Sequence, residues 1–245
     1  MKWARRASLT CIGNMAQCLL TPPLTVFEHM ALDEILARGG STLPVLRFYQ
    51  WTPGPSVTFG YSQFARSVQA QVKPEQGPLC RRPTGGGMVF HGEDLTFSLI
   101  FQSDLSRPKE IYAQLHGAIE KALLEQAALP SARQGAVPAA TYAPQTQGKA
   151  SGCFVNPVED DLLADGQKIL GGAIRRFGEI VLYQGSLQCS SARSNPLLRR
   201  AVMAGAEQFL EVKFVVSPAA QEMLKQARQL AVQQYQTLDW TEKFV

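Results

Sequence analysis

Three segments of the chain carry side chains and backbone suited to chemistry. The first is Arg81 to His91, RRPTGGGMVFH. Three consecutive glycines, Gly85, Gly86 and Gly87, let the backbone approach a ligand closely and adopt positive φ. Their N–H groups can form an anion-binding nest, with Arg81 and Arg82 adding positive charge. A plain flexible hairpin turn has the same composition. No Lys-Ser/Thr pair follows the glycines, so the segment is neither a Walker-type phosphate loop nor a dinucleotide fingerprint. His91 can act as base or ligand, although a single histidine after a strand is as readily structural.

The second segment centres on Lys168 in DGQKILGGAIRR. Gly171, Gly172 and Ala173 follow it and leave room for a ligand against a sheet. Because strand faces alternate, a solvent-facing lysine fits the same pattern. The third is Cys153 in SGCFVNP, at the end of a soft loop. A reactive cysteine needs its thiolate favoured by a nearby cation or a helix N-terminus; otherwise it is a passive thiol. Lys168 can be that cation if the loop folds back over the sheet.

The elements that must position these groups follow from periodicity. TVFEHMALDEILAR (25–38) places apolar residues at helical spacing and closes at Gly39-Gly40. Strands are expected at 44–51 and 56–63. A strand, a glycine turn and another strand are expected over 80–101, with alternation in the second half. Residues 108–128 form a helix that Pro108 opens, with Ile111, Leu115, Ile119 and Leu123 as its stripe. Residues 130–152 read as a long loop. Asp165-Gly166 between two apolar runs predicts a hairpin over 161–176. A strand at 179–187 follows, then helices at 196–209 and 217–236. Hairpins mixed with helices indicate an α+β fold with a mixed, largely antiparallel β-sheet flanked by helices. The expected organisation is an N-terminal extension, 1–24, and a single domain, 25–245.

Composition bounds the function. Hydrophobic content of 45% and charged content of 18% fit a globular enzyme. A net charge of +4, from 24 basic and 20 acidic residues, is too small to point to nucleic acid, but it favours acidic partners through steering. The five cysteines, Cys11, Cys18, Cys80, Cys153 and Cys189, are scattered, with no metal-site spacing. Free thiols in a cytoplasmic protein are the reading. The basic start at Lys2, Arg5 and Arg6 lacks a continuous apolar stretch after it, so neither a signal peptide nor a membrane span is expected.

Taken together, these segments resemble the biotin/lipoate A/B protein ligase superfamily. RRPTGGGMVFH is similar to its RRxTGGGxVFH motif and GQKILGGA to its GxKxxGxA lysine motif. HMALDE (29–34), PVLRFYQWTPGPSVTFGY and IVLYQGSL resemble three further family segments in the same order. The resemblance covers roughly residues 25–240. It implies a catalytic domain of the class II aminoacyl-tRNA synthetase/biotin synthetase-like type. Cys153-Phe154 stands where the Bacillus-type octanoyltransferases carry their nucleophile, fifteen residues before Lys168.

That placement implies an octanoyltransferase. It would carry octanoyl from acyl carrier protein through an acyl-Cys153 to a lysine of a lipoyl-domain protein, either glycine cleavage H protein or a 2-oxoacid dehydrogenase E2. Lys168 would be catalytic. Arg82, Gly85, Gly86, Gly87, His91, Gly171, Gly172 and Ala173 would contact substrate. The expected enzyme is a monomer and needs no cofactor and no metal. Three alternatives remain: a lipoate–protein ligase using ATP and magnesium, an octanoyl amidotransferase between lipoyl-domain proteins, and a non-catalytic acyl or lipoyl-domain binding protein. The acceptor and the chain-length preference stay open.

Overall fold

The computed structural model describes residues 15–40, 44–126, 128–129, 132–135, 160–165 and 167–244. In chain order the elements are β1 (Met15–Leu20), α1 (Val26–Arg38), β2 (Val45–Phe48), β3 (Ser56–Phe59), α2 (Ala65–Gln69), β4 (Leu79–Arg81), β5 (Val89–His91), β6 (Leu95–Gln102), α3 (Pro108–Glu125), β7 (Arg133–Gln134), β8 (Leu162–Ala164), β9 (Gln167–Phe177), β10 (Ile180–Leu187), α4 (Pro196–Leu210), β11 (Lys213–Pro218), α5 (Gln221–Leu230) and α6 (Leu238–Thr241).

Eight strands form one sheet in the order β11-β1-β2-β6-β10-β9-β8-β7. β1 pairs parallel with β11 and β2, and every other neighbour in this sheet is antiparallel. The expected mixed, largely antiparallel sheet is therefore present. Alternation sorts side chains onto its two faces. Leu95, Phe97, Leu99 and Phe101 of β6 turn toward α3 and α4, joining Ile111, Leu115, Ile119, Leu198 and Val202 in the larger core. Ile100 and Leu182 turn the other way, onto Leu32 and Leu36 of α1 and Leu224 of α5. A second sheet of three strands, β4-β3-β5, sits apart from the first.

The helix expected at 25–38 forms because Thr25 and Glu28 cap it reciprocally. Thr25 Oγ1 accepts from the Glu28 N–H at 3.2 Å, and Glu28 Oε2 accepts from the Thr25 N–H at 2.8 Å. Its inner face is not purely apolar, for His29, Asp33 and Glu34 are all buried. Asp33 accepts from Arg47 and Tyr49, from Ser98 Oγ at 2.8 Å and from Gln184 Nε2 at 2.8 Å. One carboxylate thus joins α1 to β2, to Tyr49 just beyond it, to β6 and to β10. A guanidinium has only donors, so Arg47 Nη2 donates to His29 Nδ1 at 3.1 Å and His29 Nε2–H donates to the Gln50 carbonyl at 3.0 Å. Burial, then the Arg47 charge, hold this imidazole well below its usual range. Burial, then the Asp33 charge, push the Tyr49 phenol well above its own.

The structure departs from the sequence expectations in three places. Residues 15–20 are not part of an extension: β1 lies inside the large sheet, between β11 and β2. Residues 213–218 form the edge strand β11, where a helix was expected to begin at 217. The stretch MVFHGEDLTFSLIF is two strands in two sheets, because Gly92 to Asp94 carry the chain from β5 to β6.

Removing the buried carboxylate leaves the Arg47 charge without its partner, which costs about 3–5 kcal/mol in such sites. Asp33→Ala is therefore expected to lower the unfolding free energy by that order in urea titration. A loss below about 1 kcal/mol would show that Asp33 is not the link between these strands.

Candidate active site

The glycine loop is held by two arginines that do different things. Arg81 is buried and aims inward. Its guanidinium donates to the carbonyls of Trp240 at 2.9 Å, Thr241 at 2.6 Å and Gln63 at 2.8 Å. It fastens the C-terminal segment to the turn after β3 and is not available to a ligand. Arg82 reaches across the loop to the Gly85 carbonyl at 2.5 Å and the Gly87 carbonyl at 2.7 Å. With those carbonyls turned toward Arg82, the N–H groups of Gly85, Gly86 and Gly87 find no acceptor among the described residues. This leaves the loop the donors of an anion-binding nest. Gly86 has φ +85°, a backbone state that requires glycine.

Beside Arg82 lies a small pocket, with a cavity volume of about 30 Å³, that opens to solvent. Met30, Tyr49, Thr58, Arg82, Val89, His91, Thr96, Gly171, Gly172, Ala173 and the run Gln184 to Ser186 line it. The Tyr183 ring lies across Gly172 from behind, and a Cβ there would come within 2.4 Å of it. Gln184 crosses the pocket wall. Its Oε1 accepts from Thr84 Oγ1 at 2.6 Å, while its Nε2 donates to Asp33. The glycine loop is therefore tied through one amide to the buried carboxylate of α1.

His91 is buried in a polar cluster. Arg82 Nη1 donates to Thr58 Oγ1 at 3.3 Å, and Thr58 Oγ1 lies 2.9 Å from His91 Nε2. His91 Nδ1 lies 2.9 Å from Asp94 Oδ2, which also accepts from Thr96 at 2.5 Å and Ser186 at 2.7 Å. Burial alone would raise the Asp94 carboxyl, but the His91 charge and the three hydrogen bonds outweigh it and hold it below its usual range.

Lys168 owes its direction to a β-bulge. Leu162 pairs with Leu170 but Leu163 pairs with Lys168, so Ile169 is an extra residue on β9. Ile169 and Leu170 consequently both enter the core under α3. Lys168 is turned to the opposite face, the one that carries Gly171 and Ala173 and hence the pocket. Its Nζ lies 2.8 Å from Asp161 Oδ2, and both side chains are 5% exposed. A solvent-facing lysine is thereby excluded. The neighbouring corner is fixed from α3. His116 Nδ1–H donates to the Asp160 carbonyl at 2.5 Å, and His116 Nε2 accepts from Tyr183 OH at 2.7 Å. Burial lowers this imidazole to about 4.

The structure thus brings Arg82, His91, Gly171, Gly172 and Ala173 around one pocket and sets Lys168 on the strand face that carries Gly171 and Ala173. Gly85, Gly86 and Gly87 do not line this pocket and are joined to it through Arg82, which holds the Gly85 and Gly87 carbonyls. Cys153 lies outside the described residues, as does Cys11. Burial raises the thiols of Cys18, Cys80 and Cys189, which disfavours them as nucleophiles. Reading single residues for chemistry missed Met30, Tyr49, Gln184 and Ser186, although each stands in one of the family-like segments. Among the described residues, no group of His, Cys, Asp or Glu side chains is arranged to hold a metal ion, and no helix is long and apolar enough to cross a membrane.

His116 generates a pH test. Its folded value of about 4 lies below the ordinary 6.5, so its contribution to stability is complete above 6.5 and is lost as pH falls toward 4. The loss amounts to about 3 kcal/mol across that window. His29 adds to it in the same direction. His116→Asn is expected to flatten the fall in unfolding free energy between pH 7.5 and 4.5; an unchanged slope would show that His116 is not held neutral.

Comparison with known proteins agrees with this geometry. The family model of the lipoyl protein ligase A/B catalytic domain matches residues 25–233. The octanoyltransferase LipM of Moorella thermoacetica is 32% identical over 173 residues, which are 66% of this chain and 60% of that protein. The chain thus spans about three fifths of the length of that relative, and 59% of the LipM of Oceanobacillus iheyensis. The LipM of Carboxydothermus hydrogenoformans is 27% identical over 259 residues, covering 89% of this chain and 94% of its own. Among solved structures, lipoate-protein ligase A bound with ATP superposes with a TM-score of 0.73 at 24% identity, covering 94% of this chain and all of its own. The Thermoplasma acidophilum protein Ta0514, with bound lipoic acid, gives 0.73 at 23%. These two establish the fold, and the match over residues 25–233 establishes the family: the chain belongs to the lipoyl protein ligase A/B catalytic domain family.

Proposed function

We propose that this protein is an octanoyltransferase acting through an acyl-cysteine. The observation that carries the reading is the wall of the pocket. Gly171 and Ala173 form an open strip of β9, and the bulge sets Lys168 on the same face, three residues before Gly171. The likeness to octanoyltransferases LipM adds the chemistry.

The Cys153 thiolate attacks the thioester carbonyl of octanoyl-acyl carrier protein. The carbon–sulfur bond to the carrier breaks, and the carrier leaves as a thiol after taking up a proton. The ε-amine of a lysine on a lipoyl-domain protein then attacks the acyl-cysteine. It loses a proton, the Cys153 thiolate departs, and an amide remains. The Lys168 ammonium favours the ionised thiol. The unpartnered N–H groups of Gly85 to Gly87 are suited to stabilise the oxyanion that forms in each addition. No cofactor enters this sequence. The related ligase chemistry uses ATP and free acid. The likeness to a ligase solved with ATP keeps it as the second reading.

The two readings separate in one measurement. Intact-mass spectrometry after mixing with octanoyl-acyl carrier protein, without ATP, is expected to show one added octanoyl group, absent in Cys153→Ala. Cys153→Ser should retain well under a hundredth of the transfer rate. ATP-dependent modification of a lipoyl domain by free acid, with full activity in Cys153→Ser, would sink the transferase reading.

A further inference from the structure

Alternation along β9 continues past the pocket. Arg175 shares its face with Gly171 and Ala173 and stands two residues, about 6.6 Å, beyond the pocket wall. Its guanidinium donates to the Pro83 carbonyl at 3.0 Å and is flanked by two rings, Tyr61 at 4.7 Å and Phe177 at 5.1 Å. A second cation faces the same ring, with Lys243 Nζ 5.0 Å from the Tyr61 centroid. Among the described residues neither Arg175 nor Lys243 forms an ion pair with a carboxylate. The nearby Glu242 lines a different groove, with Phe64 and Arg66.

Two like charges held around one ring repel each other, and an anion bound between them relieves that. The chain invests structure in the arrangement. Lys243 sits on the C-terminal segment that Arg81 fastens, and Trp240 Nε1 returns a hydrogen bond to the Arg81 carbonyl at 2.8 Å. Tyr61 is fixed to the glycine loop by its N–H, which donates to the Thr84 carbonyl at 2.8 Å. The segment lies beyond residue 233, where the family match ends. Hydrogen bonding by Lys243 lowers the Tyr61 phenol against the opposing effect of burial, and the charges of Lys243 and Arg175 lower it further.

We propose that Arg175 and Lys243, with the Tyr61 hydroxyl, form a phosphate-binding site at the outer end of the acyl pocket, completed by the C-terminal segment. A guanidinium presents paired donors that match phosphate oxygens, and an ammonium adds a point charge. Two sources carry this chemistry: the phosphate of the pantetheine arm that delivers a carrier-bound acyl group, and the phosphates of a nucleotide. The first rests on the transferase reading, whereas the binding site itself does not.

The test has two arms. Inorganic phosphate, 4′-phosphopantetheine and ATP are titrated against the full chain, with intrinsic tryptophan fluorescence as the readout. Saturable binding is expected, weakened about tenfold in Lys243→Ala and restored in Lys243→Arg. The second arm compares kcat/KM for octanoyl-4′-phosphopantetheine and octanoyl-pantetheine. The phosphate should confer about tenfold, and that ratio should fall toward one in Lys243→Ala. Binding of ATP but not phosphopantetheine would assign the site to a nucleotide. If neither thioester reacts, the transferase reading fails while the titration still decides the site. No phosphate-dependent signal with any of the three ligands, or equal signals in wild type and Lys243→Ala, would overturn the proposal.

Discussion

The Asp33 carboxylate is the interaction on which the rest of the site depends. Arg47 and Tyr49 of one segment, Ser98 of β6 and Gln184 of β10 all donate to it. Without such donors a buried carboxylate would be prohibitive, and with them each strand's position is set by the others. An apolar contact of equal area would tolerate sliding by a fraction of an ångström. A carboxylate with fixed donors does not, because hydrogen-bond geometry weakens steeply away from its optimum. This is the physical route by which a helix near the N-terminus controls a loop fifty residues later. Gln184 spans from Asp33 to Thr84, so the start of the glycine loop is referred to α1.

A similar economy governs the loop itself. Glycines confer freedom, and freedom is a disadvantage in a binding loop unless something removes it. Arg82 removes it by taking the Gly85 and Gly87 carbonyls. The side chain that appears from sequence to offer charge to a ligand is committed to the loop's backbone. Arg82 itself lines the pocket, and the N–H groups of the loop it clamps find no acceptor among the described residues. Arg81 is one residue away and performs a wholly different task, because adjacent residues of a strand face opposite sides. The pair RR in the sequence is thus one loop clamp and one C-terminal fastener.

How much of this was legible from sequence depended on whether the information was local. The capped helix at 25–38, the hairpin at Asp165 and the stripe of α3 are set by neighbours within a few residues, and they form where the pattern places them. β1 and β11 were missed for a different reason. Met15 and Leu20 of β1 are apolar yet exposed, and Val215 and Val216 are exposed on an edge strand, so burial and hydropathy do not coincide there. Their pairing is a contact between chain ends that no window sees. Lys168 is the instructive case. Alternation alone assigns it the same face as Leu170. One inserted residue reverses that assignment, and bulges leave little signature in a single sequence.

That reversal has an energetic consequence. A lysine on the core face would have to be buried unpaired beneath α3, at a cost of several kcal/mol. On the pocket face it meets Asp161 at 2.8 Å, yet the pair is still nearly dry at 5% exposure on each side. Buried ion pairs roughly break even against apolar replacements, so stability alone gives no reason to keep one here. What the pair does provide is a charge whose position is defined before any substrate arrives. His116 completes the arrangement from the opposite side of the sheet. It holds the Asp160 carbonyl and the Tyr183 hydroxyl, and the Tyr183 ring backs Gly172 in the pocket wall. The wall that would receive the acyl chain and the corner that aims the cation are thus set by one neutral imidazole. Packing on one face of the sheet fixes the electrostatics on the other.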